Sequence, residues 1–195
     1  MAFTLLLFSA PFWLIFYLAV KIDSKGPFIF KQKRAGKDKK SFTMYKIRTM
    51  VVDAERLKKN YLKFNEADGP VFKIKNDPRY TKVGKVISML AIDEIPQLIN
   101  IIKEEMAFVG PRPLPISEAA KIPKKYEQRF SVLPGMTSTW VVRGSHKLKF
   151  KTWMQLDIEY TKNKSLWYDT EILFLTALLI TKSAVLEFKK WMKSI

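Results

Sequence analysis

The chain begins with MAFTLLLFSAPFWLIFYLAV at residues 1–20, and this stretch decides which folds are open to the rest. It carries no charge and is apolar except for Thr4 and Ser9. Twenty residues of α-helix are about 30 Å long, which matches the hydrocarbon core of a bilayer. We therefore predict a membrane-embedded helix over residues 1–20 and a separate domain over residues 21–195.

Basic residues follow the apolar segment at once. Lysine and arginine next to a membrane segment mark its cytoplasmic side, so the domain is predicted to lie on the cytoplasmic face. No basic residue precedes the apolar run, which favours a retained segment over a cleaved signal peptide. The basic residues are Lys21, Lys25, Lys31, Lys33, Arg34, Lys37, Lys39 and Lys40.

Pro11 lies in the middle of the segment, close to Ser9. A proline there removes one backbone hydrogen bond and bends a helix. Two interpretations follow: a straight or mildly kinked helix that spans the bilayer, or a re-entrant helix that enters and leaves by one face. Taken alone, the residues favour the spanning helix.

Composition narrows the chemistry. The chain has 195 residues, 48% of them apolar, which is enough for one domain with a core. A formal charge of +17 favours partners with phosphate groups: nucleic acid, anionic lipid or nucleotides. With no cysteine and only His146, thiol nucleophiles, zinc clusters and Ser-His triads lose most of their usual residues. Transfer chemistry then depends on carboxylates, whose hard oxygens favour Mg²⁺.

Local patterns predict short elements after the apolar segment. Residues 28–32 and 41–47 are expected to form a hairpin, and residues 52–64 an amphipathic helix. Beyond Arg79 the pattern is mostly helical. The apolar residues 172–180 suit either an interfacial helix on lipid headgroups or a buried core helix with a solvated end. The polar residues that follow this stretch are Lys182, Lys189, Lys190, Trp191 and Lys193.

Asp93 and Glu94 open a predicted helix, with Pro96 in its first turn. Asp93 is therefore expected at or next to the N-cap, and capping is the commonest role of such an aspartate. A helix N-terminus also attracts phosphate, so the alternative role of Asp93 is phosphate chemistry, with Glu94 as a Mg²⁺ ligand. The predicted buried stripe of the helix is Ile95, Leu98, Ile99 and Ile102.

Three further polar residues stand out. Arg112 lies on the stiff Gly-Pro-Arg-Pro loop of residues 110–113, and it suits either bidentate phosphate recognition or pairing with a surface carboxylate. Asp157 shares an apolar helical face with Trp153, so it is expected to be either paired or functional. Asp169 begins another apolar helix, with capping as its expected role and ligand binding as the alternative.

Several motifs occur in a fixed order along the chain, and in this order they are highly specific. By them the chain resembles the bacterial sugar transferases, monotopic phosphoglycosyl transferases that start exopolysaccharide and O-antigen assembly. The segment at residues 92–98 is similar to the family's Leu-Asp-Glu-Leu-Pro-Gln-Leu. The matching segments are KIDS (21–24), YKIRTM (45–50), GPVFK (69–73), NDPR (76–79), IDEIPQL (92–98), FVGPRP (108–113), PGMT (134–137), Trp140, Leu156-Asp157, Tyr160 and SLW (165–167) with Asp169.

The resemblance implies an α+β, mostly helical fold. An N-terminal re-entrant membrane helix, bent at Ser9 and Pro11, a small β-hairpin and amphipathic interfacial helices would surround a compact cytoplasmic catalytic domain. It also places the protein at the bacterial inner membrane.

The implied activity is transfer of a sugar 1-phosphate from a UDP-sugar to undecaprenyl (polyprenyl) phosphate. By the same resemblance Asp93 is the nucleophile that forms a phosphosugar-aspartyl intermediate, and Glu94 together with Asp93 binds the Mg²⁺ cofactor. Membrane lipids are further partners, and a homodimer is left open. The implied substrate-binding residues are Lys46, Arg48, Arg79, Arg112, Asp157 and Asp169.

The chain departs from the family's pattern in places. Ser88 stands where an arginine is usual, so one phosphate contact is expected to be missing. Arg143 and His146 are candidates to compensate for a second lost arginine. The other departures, where Gly, Gln and Arg are usual, are Ser138, Val141 and Ser145.

These departures leave a second hypothesis open, a membrane-associated scaffold with a decayed active site. A third hypothesis, a basic nucleic-acid binder, is disfavoured because the sequence has no recognisable reading helix or zinc module. We therefore expect no nucleic-acid partner.

Overall fold

A computed structural model describes residues 1–74, 76–144 and 148–192, without the side chains of residues 187, 188, 190 and 191. The predictions made for Ser145, His146 and Lys193 lie outside these residues. The same holds for the side chains of Lys190 and Trp191.

The apolar N-terminal segment is helix α1, Ala2–Asp23, and it continues without a break through Pro11. The Ser9 hydroxyl donates to the Leu6 carbonyl at 2.7 Å and accepts from Trp13 Nε1 at 2.9 Å. Within the described residues, α1 is the one helix long and apolar enough to cross a membrane. The predicted helix is confirmed, whereas its bend and its re-entrant path stay predictions.

The C-terminal end of α1 is anchored to the rest of the protein. Val20 is buried against Ile47 and Ile87. The Asp23 carboxylate accepts a hydrogen bond from the Val83 backbone N–H at 3.0 Å, near the start of helix α3, Lys82–Met89. A carboxylate at a helix N-terminus satisfies backbone donors that have no partner within the helix. Helices α1 and α3 are therefore held together beside the Asp93 turn.

The predicted hairpin is confirmed. Strands β1, Ile29–Ala35, and β2, Ser41–Ile47, pair antiparallel from Ile29↔Ile47 to Ala35↔Ser41. Strand β4, Leu114–Pro115, adds to the other edge of β1. A separate parallel pair joins β3, Ala107–Val109, to β5, Gly135–Thr137.

Most of the remaining elements are short helices, so the fold is α+β and mostly helical, as predicted. The predicted helix at residues 52–64 begins later and changes type, being α2 up to Leu57 and a 3₁₀ helix from Lys58. The helices are α2 Ala54–Leu57, α4 Gln97–Ile102, α5 Ile116–Ala119, α6 Thr139–Val142 and α7 Phe150–Asn163, with 3₁₀ helices at Lys58–Phe64 and Lys124–Phe130.

The main core forms where α6 and α7 pack on the 3₁₀ helix Lys124–Phe130. Trp140 and Trp153 stack with ring centroids 4.7 Å apart, and Met154 is fully buried beside them. Large stacked aromatic side chains contribute much of the apolar burial in a small domain. This cluster fixes the position of Trp140, which also lines the main cavity.

The last helix, α8, covers Leu166–Met192 and keeps most of its apolar residues outside the core. Ile172 is buried, whereas Phe174 is 63% exposed and Leu178 is 51% exposed. A core helix would bury such side chains, so the buried-helix interpretation of residues 172–180 is wrong. An exposed apolar face is what an interfacial helix presents to lipid.

Candidate active site

Asp93 and Glu94 lie on a 3₁₀ turn, Ile92–Glu94, between α3 and α4. Ala91, which precedes the turn, has φ 56°, a left-handed conformation that is costly for a residue with a Cβ. The turn reverses the chain within a few residues and holds Asp93 inward, where it is only 5% exposed. A strained residue next to a buried carboxylate is a common feature of functional sites.

Lys46, on strand β2, faces both carboxylates. Its ammonium donates to Asp93 Oδ2 at 3.1 Å and to Glu94 Oε1 at 2.7 Å. Asn100 of α4 fixes the strand, because its side chain donates to the Thr43 carbonyl at 2.7 Å and accepts from the Tyr45 N–H at 3.2 Å. The structure therefore brings together three of the predicted site residues, and we call Lys46, Asp93 and Glu94 the carboxylate wall.

Burial and charge act on the carboxylate wall in opposite directions. Burial raises the pKa of Asp93, and neither the nearby Lys46 ammonium nor Arg112 fully reverses this effect. Burial acts the same way on Glu94, but Lys46 and Arg112 outweigh it and lower its pKa. The pKa of Lys46 is raised, because its two carboxylate partners outweigh its burial. The raised pKa of Asp93 and the lowered pKa of Glu94 agree with Lys46 lying closer to Glu94 than to Asp93.

The capping role expected for Asp93 is wrong, because its side chain accepts from Lys46 and no side-chain cap is made at the turn or at α4. The predicted buried stripe of α4 is only partly right. Leu98 is buried, but Ile102 is 46% exposed, and the most buried position is Asn100. The helix has only six residues, so its orientation is set by the hydrogen bonds of Asn100 to β2 rather than by an apolar stripe.

One large cavity of about 1440 Å³ extends from the carboxylate wall. Its lining includes polar residues of the domain and apolar residues of both long helices, α1 and α8. The two helices contribute Leu5, Ser9, Leu173, Thr176, Leu179, Ile180 and Ser183. A charged substrate that also carries a lipid tail needs such a combination of surfaces.

Arg112 reaches this cavity from a loop that is tightly constrained. Gly135 leaves no room for a side chain, since a Cβ there would lie 2.0 Å from the Gly110 nitrogen. The buried Arg129 donates to the Arg112 carbonyl at 2.9 Å. Within the described residues the Arg112 guanidinium pairs with no carboxylate. The interpretation of Arg112 as half of a surface ion pair is therefore wrong, and the arginine is available to a ligand.

Three basic side chains line the cavity without acceptors for at least part of their donors. Lys73 Nζ lies 4.3 Å from the centre of the Trp140 ring, and Arg112 Cζ lies 5.4 Å from the same point. Lys73 Nζ and Arg34 Nε are buried, and neither has a hydrogen-bond partner among the described residues. We call Arg34, Lys73, Arg112 and Trp140 the cation wall.

The cation wall is electrostatically unfavourable as it stands. Burial, and then the charge of Arg112, lower the pKa of the Lys73 ammonium to about 7, while the Glu66 carboxylate acts in the opposite direction. Burial and Arg112 also lower the pKa of Arg34 to about 10. Crowded, desolvated cations are expected where an anion binds.

Two arginines predicted to bind substrate have their donors engaged by the protein. Arg48 donates to the carbonyls of Pro27 at 2.6 Å and Ser24 at 2.8 Å, so it fixes the connection between α1 and β1. Arg79 makes a bidentate pair with Asp77, at 2.9 and 2.6 Å. Both line the cavity, but their contacts indicate a structural role, and their binding of substrate stays a prediction.

The two predicted aspartates lie away from the cavity lining. Asp157 is fully buried and pairs with Arg129 at 2.8 Å, so of its two expected roles the structure shows the paired one. The Asp169 carboxylate accepts from the Tyr160 hydroxyl at 2.7 Å, and in the first turn of α8 the Tyr168 backbone N–H donates to the Ser165 hydroxyl at 3.2 Å. The capping expectation for Asp169 is therefore wrong, and substrate binding by either aspartate stays a prediction.

The departures from the family's pattern have structural counterparts. Ser88 lines the cavity, and its hydroxyl lies 3.2 Å from the Tyr80 hydroxyl. Ser138 caps α6, and Val141 lines the cavity. Arg143 is exposed, pairs with Glu159 at 3.6 Å and is absent from the cavity lining, so the expected compensation by Arg143 finds no support.

The residues present suit a magnesium ion. Asp93 and Glu94 offer two adjacent carboxylates, and no group of three or more metal-binding side chains occurs in residues 1–74, 76–144 and 148–192. Mg²⁺ is commonly held by one or two carboxylates together with substrate phosphates, so this small donor set fits. Calcium or structural zinc would require a larger set of protein ligands.

Sequence reasoning missed part of the site. Lys73 was noted only within the GPVFK segment and Arg34 only among the basic residues after α1. Both line the cavity and have buried donors without a partner in residues 1–74, 76–144 and 148–192. Trp140 was noted only as a motif residue. The sequence shows that the chain is rich in lysine and arginine, but it does not show which of these cations lack an acid partner.

A buried aspartate lies in a basic cavity that extends to two apolar helices, one of them long and apolar enough to cross a membrane. The sequence model of the family described as bacterial sugar transferase matches residues 1–183. The chain belongs to this family.

Named relatives agree with this assignment. The chain is 41% identical over 152 residues to a galactosyl transferase CpsE of Streptococcus agalactiae, covering 77% of this chain and 34% of that protein. It is 35% identical to an undecaprenyl-phosphate galactose phosphotransferase of Salmonella typhimurium, covering 91% of this chain and 38% of that protein. It is also 35% identical to the exopolysaccharide production protein ExoY of Rhizobium meliloti, covering 88% of this chain and 77% of ExoY. The chain thus spans little more than a third of the first two relatives.

Proposed function

We propose that the protein transfers a sugar 1-phosphate from a UDP-sugar to undecaprenyl phosphate, through a covalent intermediate on Asp93, at the cytoplasmic face of the inner membrane. The observation that carries this proposal is the single cavity that joins Asp93, the cation wall and the apolar residues of α1 and α8. Similarity to the Salmonella typhimurium relative, an undecaprenyl-phosphate galactose phosphotransferase, supports it.

In the first step, an Asp93 carboxylate oxygen bonds to the phosphorus that carries the sugar. The bond between that phosphorus and the bridging oxygen breaks, and its electron pair leaves with the nucleoside monophosphate. Asp93 is thereby converted to an acyl phosphate ester. Attack of an anion on a diphosphate is opposed by like charge, and the cations Lys46 and Arg112 beside the carboxylates reduce this opposition.

In the second step, a phosphate oxygen of the polyprenyl phosphate attacks the same phosphorus. The bond from Asp93 to phosphorus breaks, and the electron pair returns to the carboxylate, so the enzyme is restored. The acceptor has a charged head and an apolar tail. The lining residues Leu173, Leu179 and Ile180 of α8 offer the tail an apolar surface that continues to the charged part of the cavity.

Each group of the carboxylate wall has one role in this scheme. Burial keeps water away from Asp93 and weakens its solvation, which favours bond formation over hydrolysis. Glu94 and Asp93 would hold Mg²⁺, which when bound supplies charge neutralisation for the phosphate oxygens. Lys46 keeps both carboxylates oriented, because it bonds to both of them.

The direct test is turnover. Purified protein in a lipid nanodisc is incubated with a panel of UDP-sugars, Mg²⁺ and undecaprenyl phosphate, and release of UMP is measured. Asp93→Asn is expected to lower turnover by about 10⁴-fold, because loss of a nucleophile has effects of this order. The matched control is Asp38→Asn, an exposed position in the hairpin turn with φ 53°, where asparagine is well tolerated.

A decayed scaffold is the second candidate, and Ser88 is the observation in its favour. Its hydroxyl contacts Tyr80 and adds no positive charge to the cavity. This candidate predicts no UMP release with any donor, and no difference between the wild-type protein and Asp93→Asn. Turnover that depends on Asp93 would contradict it.

A further inference from the structure

Lys73 differs from the three basic cavity-lining residues whose donors are taken up by the protein. Lys46, Arg48 and Arg79 each donate to acceptors supplied by the protein. Lys73 Nζ is buried and has no acceptor among the described residues. A buried ammonium without an acceptor is destabilising, so its position indicates an acceptor that the protein itself does not supply.

The surroundings of Lys73 exclude a simple structural role. The Trp140 ring, 4.3 Å from Nζ, gives a favourable cation–π contact but takes up none of the hydrogen bonds of the ammonium. The Arg112 guanidinium lies over the same ring, and its charge repels the Lys73 ammonium. Glu66 is the acidic residue that acts on Lys73, and it forms no ion pair with the lysine. Lys73 and Arg112 thus lie over one indole, and neither forms an ion pair within the described ranges, an arrangement that an anion would stabilise.

We infer that Lys73 is a phosphate-binding residue of this cavity, held over Trp140 so that it and Arg112 together bind the diphosphate of the nucleotide-sugar donor. The inference rests on the proposed function for the identity of the anion. A diphosphate is favoured over a single phosphate because the two cations are separate donors on separate segments, the GPVFK segment and the Gly-Pro-Arg-Pro loop.

Binding is expected to involve a proton. The Lys73 ammonium has a pKa near 7, set by burial and Arg112 against Glu66. A bound diphosphate favours the charged form and raises this pKa, so the lysine takes up a proton as the anion binds. At pH 7 the uptake is expected to be about half a proton per anion.

The experiment measures binding of inorganic pyrophosphate to the full chain in nanodiscs by isothermal titration calorimetry at pH 7. Two buffers with different ionisation enthalpies give the number of protons taken up. Lys73→Met is expected to weaken binding about tenfold, which corresponds to one lost charge-assisted hydrogen bond, and to abolish proton uptake. Lys73→Arg is expected to bind within about threefold of the wild type without proton uptake, because arginine is always charged.

Lys151→Met removes the same charge at an exposed position of α7 outside the cavity, and is expected to match the wild type in affinity and proton uptake. Thermal unfolding of each variant checks that it is folded. If Lys73→Met does not fold, the loss of proton uptake in Lys73→Arg still tests the inference. Wild-type affinity and proton uptake in Lys73→Met would overturn the inference.

A second titration uses farnesyl phosphate, a short polyprenyl phosphate. Weakening of farnesyl phosphate binding but not of pyrophosphate binding in Lys73→Met would overturn the assignment to the donor. The binding experiments need no turnover. A Lys73-dependent pyrophosphate site in a protein without turnover would contradict the proposed function alone, and normal donor use by Lys73→Met in an active enzyme would contradict the inference alone.

Discussion

The carboxylate wall and the cation wall line the same cavity but are built in opposite ways. In the carboxylate wall, the ammonium of Lys46 bonds to both Asp93 and Glu94, so the charges are balanced within the protein. In the cation wall, Lys73 and Arg34 have buried donors that find no acceptor in the part of the chain that the structure describes. In the proposed mechanism, the first arrangement keeps the nucleophile in position before any substrate arrives, and we expect the second to be completed only when an anion binds.

This difference is reflected in the two lysines. Partners raise the pKa of Lys46, whereas burial and a neighbouring cation lower that of Lys73. Two lysines in one cavity therefore have different roles, and their substitutions should have different effects. A third kind of residue supports the cation wall without lining the cavity. It is represented by the buried pair of Asp157 and Arg129, because Arg129 donates to the Arg112 carbonyl.

The largest effect on stability is expected at Asp157. Asp157→Asn removes the charge that balances the fully buried Arg129, and breaking such a pair costs about 3–5 kcal/mol of unfolding free energy. Chemical denaturation monitored by tryptophan fluorescence measures this loss. Glu159→Gln is the control on the same helix, because its pair with Arg143 is exposed and is worth less than about 1 kcal/mol.

This prediction separates support from substrate binding at Asp157. Normal stability of Asp157→Asn together with a raised KM for the donor would show that the carboxylate acts on substrate, and would contradict its assignment as the partner of Arg129.

The next largest effect is expected on donor use at Arg112. Arg112→Ala removes a guanidinium that has no acid partner among the described residues, so it is expected to raise the donor KM by about ten- to a hundredfold. The unfolding free energy should change far less, because a loop arginine contributes little to the core. Steady-state kinetics and denaturation on the same samples measure both.

Arg48→Met sharpens this comparison. Its donors bond to Pro27 and Ser24, so its loss should lower stability and leave the donor KM unchanged at a temperature where the variant is folded. Equal loss of stability and donor use in Arg112→Ala would contradict the division between the two arginines.

A smaller effect, with a pH dependence, is expected at Lys73. The folded state holds this lysine at a pKa of about 7, below its ordinary value of 10.5, so the unfolded chain binds more protons between these two values. Stability of the wild type therefore rises with pH in this window relative to a variant without the lysine. Lys73→Met is expected to be more stable at pH 7 by about 1 kcal/mol, a figure reduced for partial solvent access.

The measurement is a series of thermal unfolding curves from pH 7 to pH 10.5. The advantage of Lys73→Met should shrink steadily across the series and vanish near the upper end. A constant difference, or a variant less stable than the wild type at pH 7, would contradict an unsatisfied ammonium at this position.

The smallest effect is expected at Ala91, on the turn that carries the carboxylate wall. A left-handed conformation costs an alanine about 1–2 kcal/mol, and glycine avoids this cost but loses more chain entropy on folding. Ala91→Gly is therefore expected to raise the unfolding free energy by about 0.5 kcal/mol. Denaturation curves measure this change, and a destabilised Ala91→Gly would contradict the strained turn.

Much of the fold was accessible from the sequence because its signals are local. The uncharged run before Lys21 predicted helix α1, and the β-branched and aromatic segments around Gly36 predicted the hairpin. The chemical role of the Asp93-Glu94 pair stays a prediction, whereas the capping role expected for Asp93 was wrong. A buried position for Asp93 depends on Lys46, which lies 47 residues earlier in the chain.

The points that the sequence left open concern partners that are far apart in the chain. Arg79 donates to the Ala54 carbonyl, 25 residues earlier, and Asp157 pairs with Arg129, 28 residues earlier; neither contact follows from a local pattern. The roles of Lys73 and Arg34 were missed for the same reason, because a lysine-rich chain does not reveal which cations lack an acid partner. Residue types and spacings indicated the chemistry, whereas the assignment of each residue required the tertiary contacts.

The central claim is that Asp93 itself carries the sugar phosphate. The most direct measurement incubates the protein with Mg²⁺ and a radiolabelled UDP-sugar, in the absence of polyprenyl phosphate, followed by a rapid acid quench and peptide mass spectrometry. We expect a phosphosugar adduct on the peptide that contains Asp93, absent from Asp93→Asn and discharged when undecaprenyl phosphate is added. Steady UMP release with acceptor present, but no adduct at residue 93 at any time, would contradict the account.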